Sequence, residues 1–577
     1  MRKPDRDRTP LLWGAAIIFC AVVLLRLFYL QVVRQPYYLA IAEGQRTITE
    51  KIEPERGTVY VRDITSGDEF PLATNQTLEF VFAEPANIED VDEFIDAIKG
   101  PLKLTDEQIE ELKPKLQDDV DLYEPLKRKV KPSVWEELEA LELPGLRSDT
   151  ESWRVYPEKE LASQVIGYVG FSADGEDLVG AYGIEGYFNE ELAGSMGEVF
   201  GEKDTSGRRI IVGETSYKPA DDGSDLLLTI DRSIQHMAQA VLEEGVTRYG
   251  AKYGDVVVMD PTTGEILAMA SAPGYNPNEY EKVEELSVFK NTAIFDTYEP
   301  GSTFKALIMA AALDAGAVDP ETTFTDNGCR KVDVYSICNY DKSGPGQLTA
   351  TGALERSSNV VMSQISEKVG RDKLSGYLRS FGLDALTGVA LDTEAEVYLP
   401  PSDDWPDSQL ATIGFGQGIA TTPLRLIAAL SSLANDGHLM QPHIIKEIRH
   451  QDGSTETFEP KNVGDPVKPS AALTATAMLV SAVENGVADT AQLDDYIIAG
   501  KTGTAQVAGD DGRYDGSTWI TSFVGYGPVP DPRMITLIRL YDPTTSIYGA
   551  NTAAPMFAEL APQILRYLRV PPNRENN

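Results

Sequence analysis

Three short residue groups stand in a fixed order along the chain: Ser302-Thr303-Phe304-Lys305, Ser357-Ser358-Asn359 and Lys501-Thr502-Gly503. A serine followed three residues later by a lysine on a helix puts hydroxyl and amine on one face. A lysine whose surroundings disfavour its charge can then act as the general base for that serine. A second hydroxyl and an amide, Ser357 and Asn359, supply a proton relay and a grip on a substrate amide. Together the groups describe serine acyl transfer without histidine. Singly, each also fits a plainer reading: a serine helix cap beside a surface lysine, an asparagine in a turn, a glycine-broken strand.

The elements around these groups are readable. Pro300 and Gly301 break the chain just before Ser302, and the run from 305 to 313, KALIMAAAL, is strongly helix-forming. Ser302 therefore falls at or beside a helix N-terminus, where unpaired backbone N–H groups favour an anionic oxygen. Ser357 and Asn359 lie where a helical stretch ending near Arg356 meets another starting near Val360. Lys501, Thr502, Gly503 and Thr504 belong to an apolar strand-like segment, 496 to 507, interrupted by glycines. Such a strand at a sheet edge can pair with an extended peptide, leaving Lys501 and Thr502 to hold a carboxylate. The N–H of Thr504 could join that of Ser302 as an oxyanion hole.

Further out, the run 226–230 reads as a buried strand, and Asp231 offers an N-cap to a helix reaching Arg248. The apolar runs 255–259 and 266–270 flank Pro261-Thr262-Thr263-Gly264, which predicts a hairpin. Another antiparallel pair is expected for 519–525 with 534–540, then an apolar helix over 553–568. Strands at both ends with helices inserted between them predict an α+β domain whose first and last segments share one sheet.

The 577-residue chain exceeds one ordinary core, so two or three units are expected. With 90 acidic against 51 basic residues, its net charge of −39 argues against nucleic-acid binding. Residues 11–33 form an apolar run of about bilayer-spanning length. Arg2, Lys3, Arg6 and Arg8 precede it, predicting a single-pass anchor with the N-terminus in the cytoplasm and the rest outside the cytoplasmic membrane. A cleaved signal peptide is the competing reading, but no small-x-small site follows the run. Cys329 and Cys338 fall outside the membrane on this topology, as a local disulfide or as two free thiols. No metal-ligand spacing appears, so a catalytic or structural metal is not suggested. Two charged helical stretches, 106–113 and 135–139, read as solvated amphipathic helices.

Two rivals to the serine–lysine reading fail on single residues. A phosphate-binding loop ending in Gly500-Lys501-Thr502 requires glycine where Asp495 stands. A Ser-His-Asp hydrolase requires a Gly-x-Ser-x-Gly elbow, which is absent, and the four histidines (His236, His438, His443, His450) read as structural.

With these groups placed, the chain resembles the class B penicillin-binding proteins, monofunctional peptidoglycan D,D-transpeptidases. The likeness includes Tyr298-Glu299-Pro300-Gly301 ahead of Ser302, the run 414–419 followed by Thr421-Thr422-Pro423, Gly500 through Gln506, and Phe523-Val524-Gly525-Tyr526. Nearer the anchor, Arg56-Gly57, Arg154-Val155-Tyr156-Pro157 and Gly183-Ile184-Glu185 match the family's pedestal motifs. One departure is Val61-Arg62-Asp63, where the family usually shows an Asp-Arg-Asn-Gly turn. The resemblance implies a tail over 1–10, an anchor over 11–33, an elongated pedestal (dimerisation-like) domain over 34–225, a penicillin-binding/β-lactamase-like transpeptidase domain over 226–570 and a tail over 571–577.

It further implies that Ser302 attacks the D-Ala-D-Ala end of a donor stem peptide and passes the acyl group to an amine on a neighbouring strand. Lys305 would be the base, Ser357 and Asn359 would move protons and hold the peptide, and Lys501, Thr502, Gly503 and Thr504 would bind substrate. Penicillin and other β-lactams would acylate Ser302, and neither a metal nor an organic cofactor is implied. A polytopic SEDS-type glycosyltransferase is the expected partner, in wall synthesis for elongation or division. The alternatives are a D,D-carboxypeptidase or β-lactam-hydrolysing relative, or a non-catalytic β-lactam sensor or scaffold.

Overall fold

The computed structural model describes residues 9–38, 47–117, 122–172, 178–202, 216–507, 514 and 516–574. The basic residues Arg2, Lys3, Arg6 and Arg8 and the last three of the C-terminal tail lie outside them. The chain divides into two compact units, residues 1–55 with 194–222, and 56–193 with 223–577.

In the first unit the apolar run forms a helix, Thr9–Phe28, continued by a wider helical turn, Tyr29–Val33. The 25 residues are long and apolar enough to cross a membrane, and none of the tested span is buried by protein. A helix satisfies its own backbone, which is what a hydrocarbon environment demands. The unit also holds an antiparallel sheet in the order Thr47–Ile52, Gly197–Glu202, Ser216–Lys218.

The second unit is α+β, built on two main sheets. A seven-stranded mixed sheet joins early and late parts of the chain: Asp225–Asp231 lies parallel to Val59–Arg62 and antiparallel to Ile445–Arg449. The 15-residue strand Glu69–Ala83 extends this sheet, pairing with Glu124–Val130 and Leu146–Val155. The predicted charged helices emerge as Asp106–Leu116 and Pro132–Glu139. Thr105 and Gln108 cap the former reciprocally. Their inner residues Leu112, Leu116 and Leu138 join Phe94, Ile95 and Ile98 in a small separate core, with the acidic residues left outside.

The pedestal motifs, far apart in sequence, converge on one buried carboxylate. Glu185 is wholly buried between Arg154, whose Nε donates to Oε1 at 2.6 Å, and Arg56, whose Nε donates to Oε2 at 2.8 Å. Burial drives this carboxyl up, but the two guanidinium groups outweigh it and hold the group below its ordinary value. Arg154 also donates to the carbonyl of Gly57 at 2.8 Å, tying the three motifs into one knot.

The second sheet is antiparallel throughout, in the order Ile266–Ala272, Tyr253–Met259, Met534–Tyr541, Trp519–Gly527, Ala499–Gln506. Both predicted hairpins are present, and first and last segments share the sheet. Alternation sorts its side chains into two cores. Val256, Val258 and Phe523 pack with helices Arg232–Tyr249 and Ala553–Tyr567. Val257, Met259 and Val524 face the larger core, which includes helices Lys305–Asp314, Asn359–Val369 and Pro469–Glu484. Asp231 caps its helix as expected, accepting from Ile234 N at 2.9 Å. Lys305–Asp314 is buried along almost its whole length, which suits a helix that is apolar all round.

Candidate active site

Ser302 sits in a single 3₁₀ turn, Gly301–Phe304, that leads directly into helix Lys305–Asp314. Two close approaches fix this turn. Gly301 N donates to Gly416 O at 3.0 Å, and a Cβ on Gly416, whose φ is +78°, would lie 2.1 Å from Gly301 O. On the other side, a Cβ on Gly301 would come within 2.7 Å of Thr504 O in the edge strand. Only glycine backbones let the turn wedge between the 414–421 segment and the strand. Glu299 strengthens the clasp by accepting from Gly418 N at 2.8 Å and from the Tyr514 hydroxyl at 2.8 Å. Tyr298 and Thr421 exchange backbone hydrogen bonds at 2.9 Å.

The three sequence groups converge here. Lys305 is wholly buried, and its Nζ donates to Ser357 O at 2.6 Å and to Asn359 Oδ1 at 2.7 Å and shares a hydrogen bond with Ser357 Oγ at 3.1 Å. Ser357 occupies the junction between helices Ala350–Glu355 and Asn359–Val369 with φ at +54°, a left-handed residue that turns its hydroxyl and carbonyl toward the amine. Ser302 is half-buried. Among the described residues its hydroxyl has no hydrogen-bond partner, and the lysine is engaged with the second group instead.

Lys501, Thr502 and Gly503 lie buried in Ala499–Gln506, the edge strand, and Thr504 is half-buried beside them. A Cβ on Gly503 would meet Thr303 at 2.9 Å, so this glycine lets the strand press against the Ser302 turn. Lys501 Nζ contacts only its neighbour among the described residues, Thr502 O at 3.4 Å and Thr502 Oγ1 at 3.3 Å.

Two buried amines in one site cannot both stay charged at little cost. Burial holds Lys501 down to about 7 from an ordinary 10.5. Lys305 is also driven well below its ordinary value, first by burial and then by the positive charge of Lys501, with Asp326 opposing. Burial and the charge of Lys501 both disfavour a proton on Lys305, which suits that amine to accept one.

Sequence reasoning passed over the support beneath the second group. Asp326 and Asn339 are buried under Ser358 and Asn359, in a segment closed by a disulfide between Cys329 and Cys338. The only trace in the sequence is a polar residue beside each cysteine-bearing strand, which reads as turn chemistry.

The chain matches the penicillin-binding protein transpeptidase domain over residues 254–561 and the penicillin-binding protein dimerisation domain over 51–228. It is 30% identical over 572 residues to Stage V sporulation protein D of Bacillus subtilis, spanning 98% of this chain and 86% of that protein. It is 28% identical over 577 residues to the peptidoglycan D,D-transpeptidase FtsI of Escherichia coli K12, spanning 98% and 92%. Among solved structures, a peptidoglycan synthetase from Bifidobacterium adolescentis superposes with a TM-score of 0.70 at 26% identity, covering 92% of this chain and 98% of that one. Penicillin binding protein 3 of Mycobacterium tuberculosis, complexed with aztreonam, gives 0.69 at 25%, covering 91% and 98%. With both domain models matched in order, and such a relative aligned along nearly its whole length, the chain belongs to the class B penicillin-binding proteins, the peptidoglycan D,D-transpeptidases.

Proposed function

We propose that Ser302 is the nucleophile with which this D,D-transpeptidase cross-links peptidoglycan stem peptides. The observation that carries the assignment is the buried, hydrogen-bonded Lys305 amine, held by Ser357 and Asn359 at the foot of the turn that bears Ser302. Neutral Lys305 takes the Ser302 proton as the oxygen attacks the D-Ala-D-Ala carbonyl. The oxyanion lies against the backbone N–H groups of Ser302 and Thr504. Ser357 passes a proton to the departing D-alanine amine, breaking the peptide bond and leaving the acyl group on Ser302. An amine of a neighbouring stem peptide then attacks the ester, and its proton returns through the same groups to Ser302. Asn359 holds the peptide amide, while protonated Lys501 with Thr502 and Gly503 holds the terminal carboxylate. β-Lactams enter by the same route and stop at the acyl-enzyme, in line with the aztreonam complex of a relative.

The apolar helix anchors the chain as a single pass, with the Arg2–Arg8 side cytoplasmic and the site outside. A polytopic SEDS-type glycosyltransferase is the partner we assign, on the strength of an anchor followed by the dimerisation-domain match.

Labelling of the detergent-solubilised protein with a fluorescent penicillin tests the assignment. Label on the wild type that disappears in Ser302→Ala supports it. Folded wild type that takes no label overturns it and favours a scaffold.

A further inference from the structure

We propose that Asp326 is a positioning residue for acyl transfer, a buried carboxylate that locks the second motif in place through Asn339 and Ser358 and, behind it, sets the electrostatic surroundings of the Lys305 amine. The proposal rests on the reading of Ser302 and Lys305 given above.

Asp326 closes the short strand Thr323–Asp326 and is wholly buried. The hydrogen bonds it accepts come from neutral donors: Gly328 N at 2.8 Å, Asn339 Nδ2 at 2.9 Å and Ser358 Oγ at 2.6 Å. A buried carboxylate without an ion-pair partner is costly, so its presence calls for a reason. The other charges on the surrounding elements are turned elsewhere. Arg330 pairs with Glu367 at 2.8 Å, Lys368 lies over the Phe324 ring, and Asp341 holds Ser343 at 2.6 Å. Lys331, Lys342 and Arg356 are exposed, and Glu299 is bound to Gly418 and Tyr514. Lys501 and Asp326 are the charges that act on Lys305, in opposite directions.

From Asp326 a continuous chain of hydrogen bonds reaches the site. Because Asn339 commits its Nδ2 to Asp326, its Oδ1 must face the other way, where it accepts from Asn359 N at 2.9 Å and Val360 N at 3.3 Å. Because the Ser358 hydroxyl donates to Asp326, its lone pairs cap the same helix by accepting from Val361 N at 3.1 Å. Asn359 is thereby fixed, with its Nδ2 on Cys338 O at 3.0 Å and its Oδ1 accepting from Lys305 at 2.7 Å. One carboxylate sets the amide orientation of Asn339, the hydroxyl of Ser358 and, through them, the seat of the Lys305 amine.

The test is the pH dependence of penicillin acylation in full-length, detergent-solubilised protein, whose acid limb reports the Lys305 proton. Asp326→Asn keeps the shape and removes the charge, and Ser358 can still bond to it by accepting. Loss of the carboxylate makes Lys305 shed its proton more readily, so the acid limb moves to lower pH by about one unit. The plateau rate falls about tenfold as Asn359 loosens. Asp326→Glu keeps the charge but displaces the carboxylate, so its limb stays in place while its plateau falls. A limb of Asp326→Asn superimposed on the wild type's, or moved upward, overturns the electrostatic role. An Asp326→Glu plateau equal to the wild type's overturns the positioning role. In either case a labelled wild type leaves the Ser302 assignment standing, whereas an unlabelled wild type removes the assignment itself.

Discussion

Replacing Lys501 with methionine should make the protein more stable and nearly inactive, and the size of the first effect can be worked from the site. Lys501 is wholly buried in the edge strand, with only Thr502 beside its amine among the described residues. Its proton affinity falls from 10.5 to about 7, a gap of about 3.5 units. At about 1.36 kcal/mol per unit, folding with the charge in place costs about 5 kcal/mol. The folded state binds this proton less tightly than the unfolded chain does. The penalty is therefore absent above pH 10.5, grows as the pH falls toward 7, and is complete below it. A methionine of similar length carries no such penalty but loses the contacts of the amine, so the net gain should be about 2–4 kcal/mol in mild acid. Denaturant unfolding of wild type and Lys501→Met should show this gain below pH 7 and a shrinking difference in mild alkali. Penicillin labelling should drop by about two orders of magnitude, since the ligand carboxylate loses its charged partner. A variant no more stable than wild type in mild acid, or a stability difference that does not change with pH, would refute the reasoning.

Two further perturbations probe site geometry and fold stability. Gly416→Ala puts a methyl group 2.1 Å from Gly301 O at a positive φ, so the Ser302 turn must shift; we expect acylation at least about tenfold slower and a lowered unfolding temperature, and an unchanged acylation rate would show that the clasp does not set the turn. Glu185→Gln leaves Arg56 and Arg154 facing each other without their carboxylate and should cost about 3–5 kcal/mol, read by denaturant unfolding. Because the folded carboxyl lies below its ordinary 4.5, the wild type's advantage is present above that pH and fades as acid protonates Glu185; an advantage that persists into strong acid would contradict the ion-pair account.

What the sequence discloses and what it hides follow one physical division. Caps, hairpins and glycine breaks are local, so Asp231, the Pro261–Gly264 turn and the Pro300-Gly301 break announce themselves within a few residues. Strand alternation likewise discloses burial. It does not disclose partners: nothing in the run 225–231 says that it lies beside Val59–Arg62, 167 residues away at the Thr58–Asp225 hydrogen bond. Glu185 stands in a motif the sequence shows, but its burial and its pairing with Arg56 and Arg154 appear only in the fold. Asp326 and Asn339 are hidden for the same reason, since a polar residue next to Asn327-Gly328 and another next to Cys338 read as turn formers. Only the fold reveals that both are buried beneath Asn359. The pairing of Cys329 with Cys338, left open by spacing alone, is settled by the antiparallel register that sets them opposite each other.

The site also explains why its residues are a poor bargain for stability and must be held by so much surrounding structure. Two amines, Lys305 and Lys501, are taken out of water where neither has an ion-pair partner among the described residues. Each would relax toward solvent if its element could move. The edge strand is pinned by Trp519–Gly527, and the Lys305 helix by a core that surrounds it on nearly every side. The Ser302 turn is wedged between Gly416 and Thr504. On the proposed function, an incoming peptide carboxylate would supply the missing negative charge for Lys501, releasing part of the unfavourable burial on binding. By offsetting the Lys501 charge that depresses Lys305, the same carboxylate would raise the affinity of Lys305 for a proton and so favour the proposed transfer from Ser302 once substrate is seated.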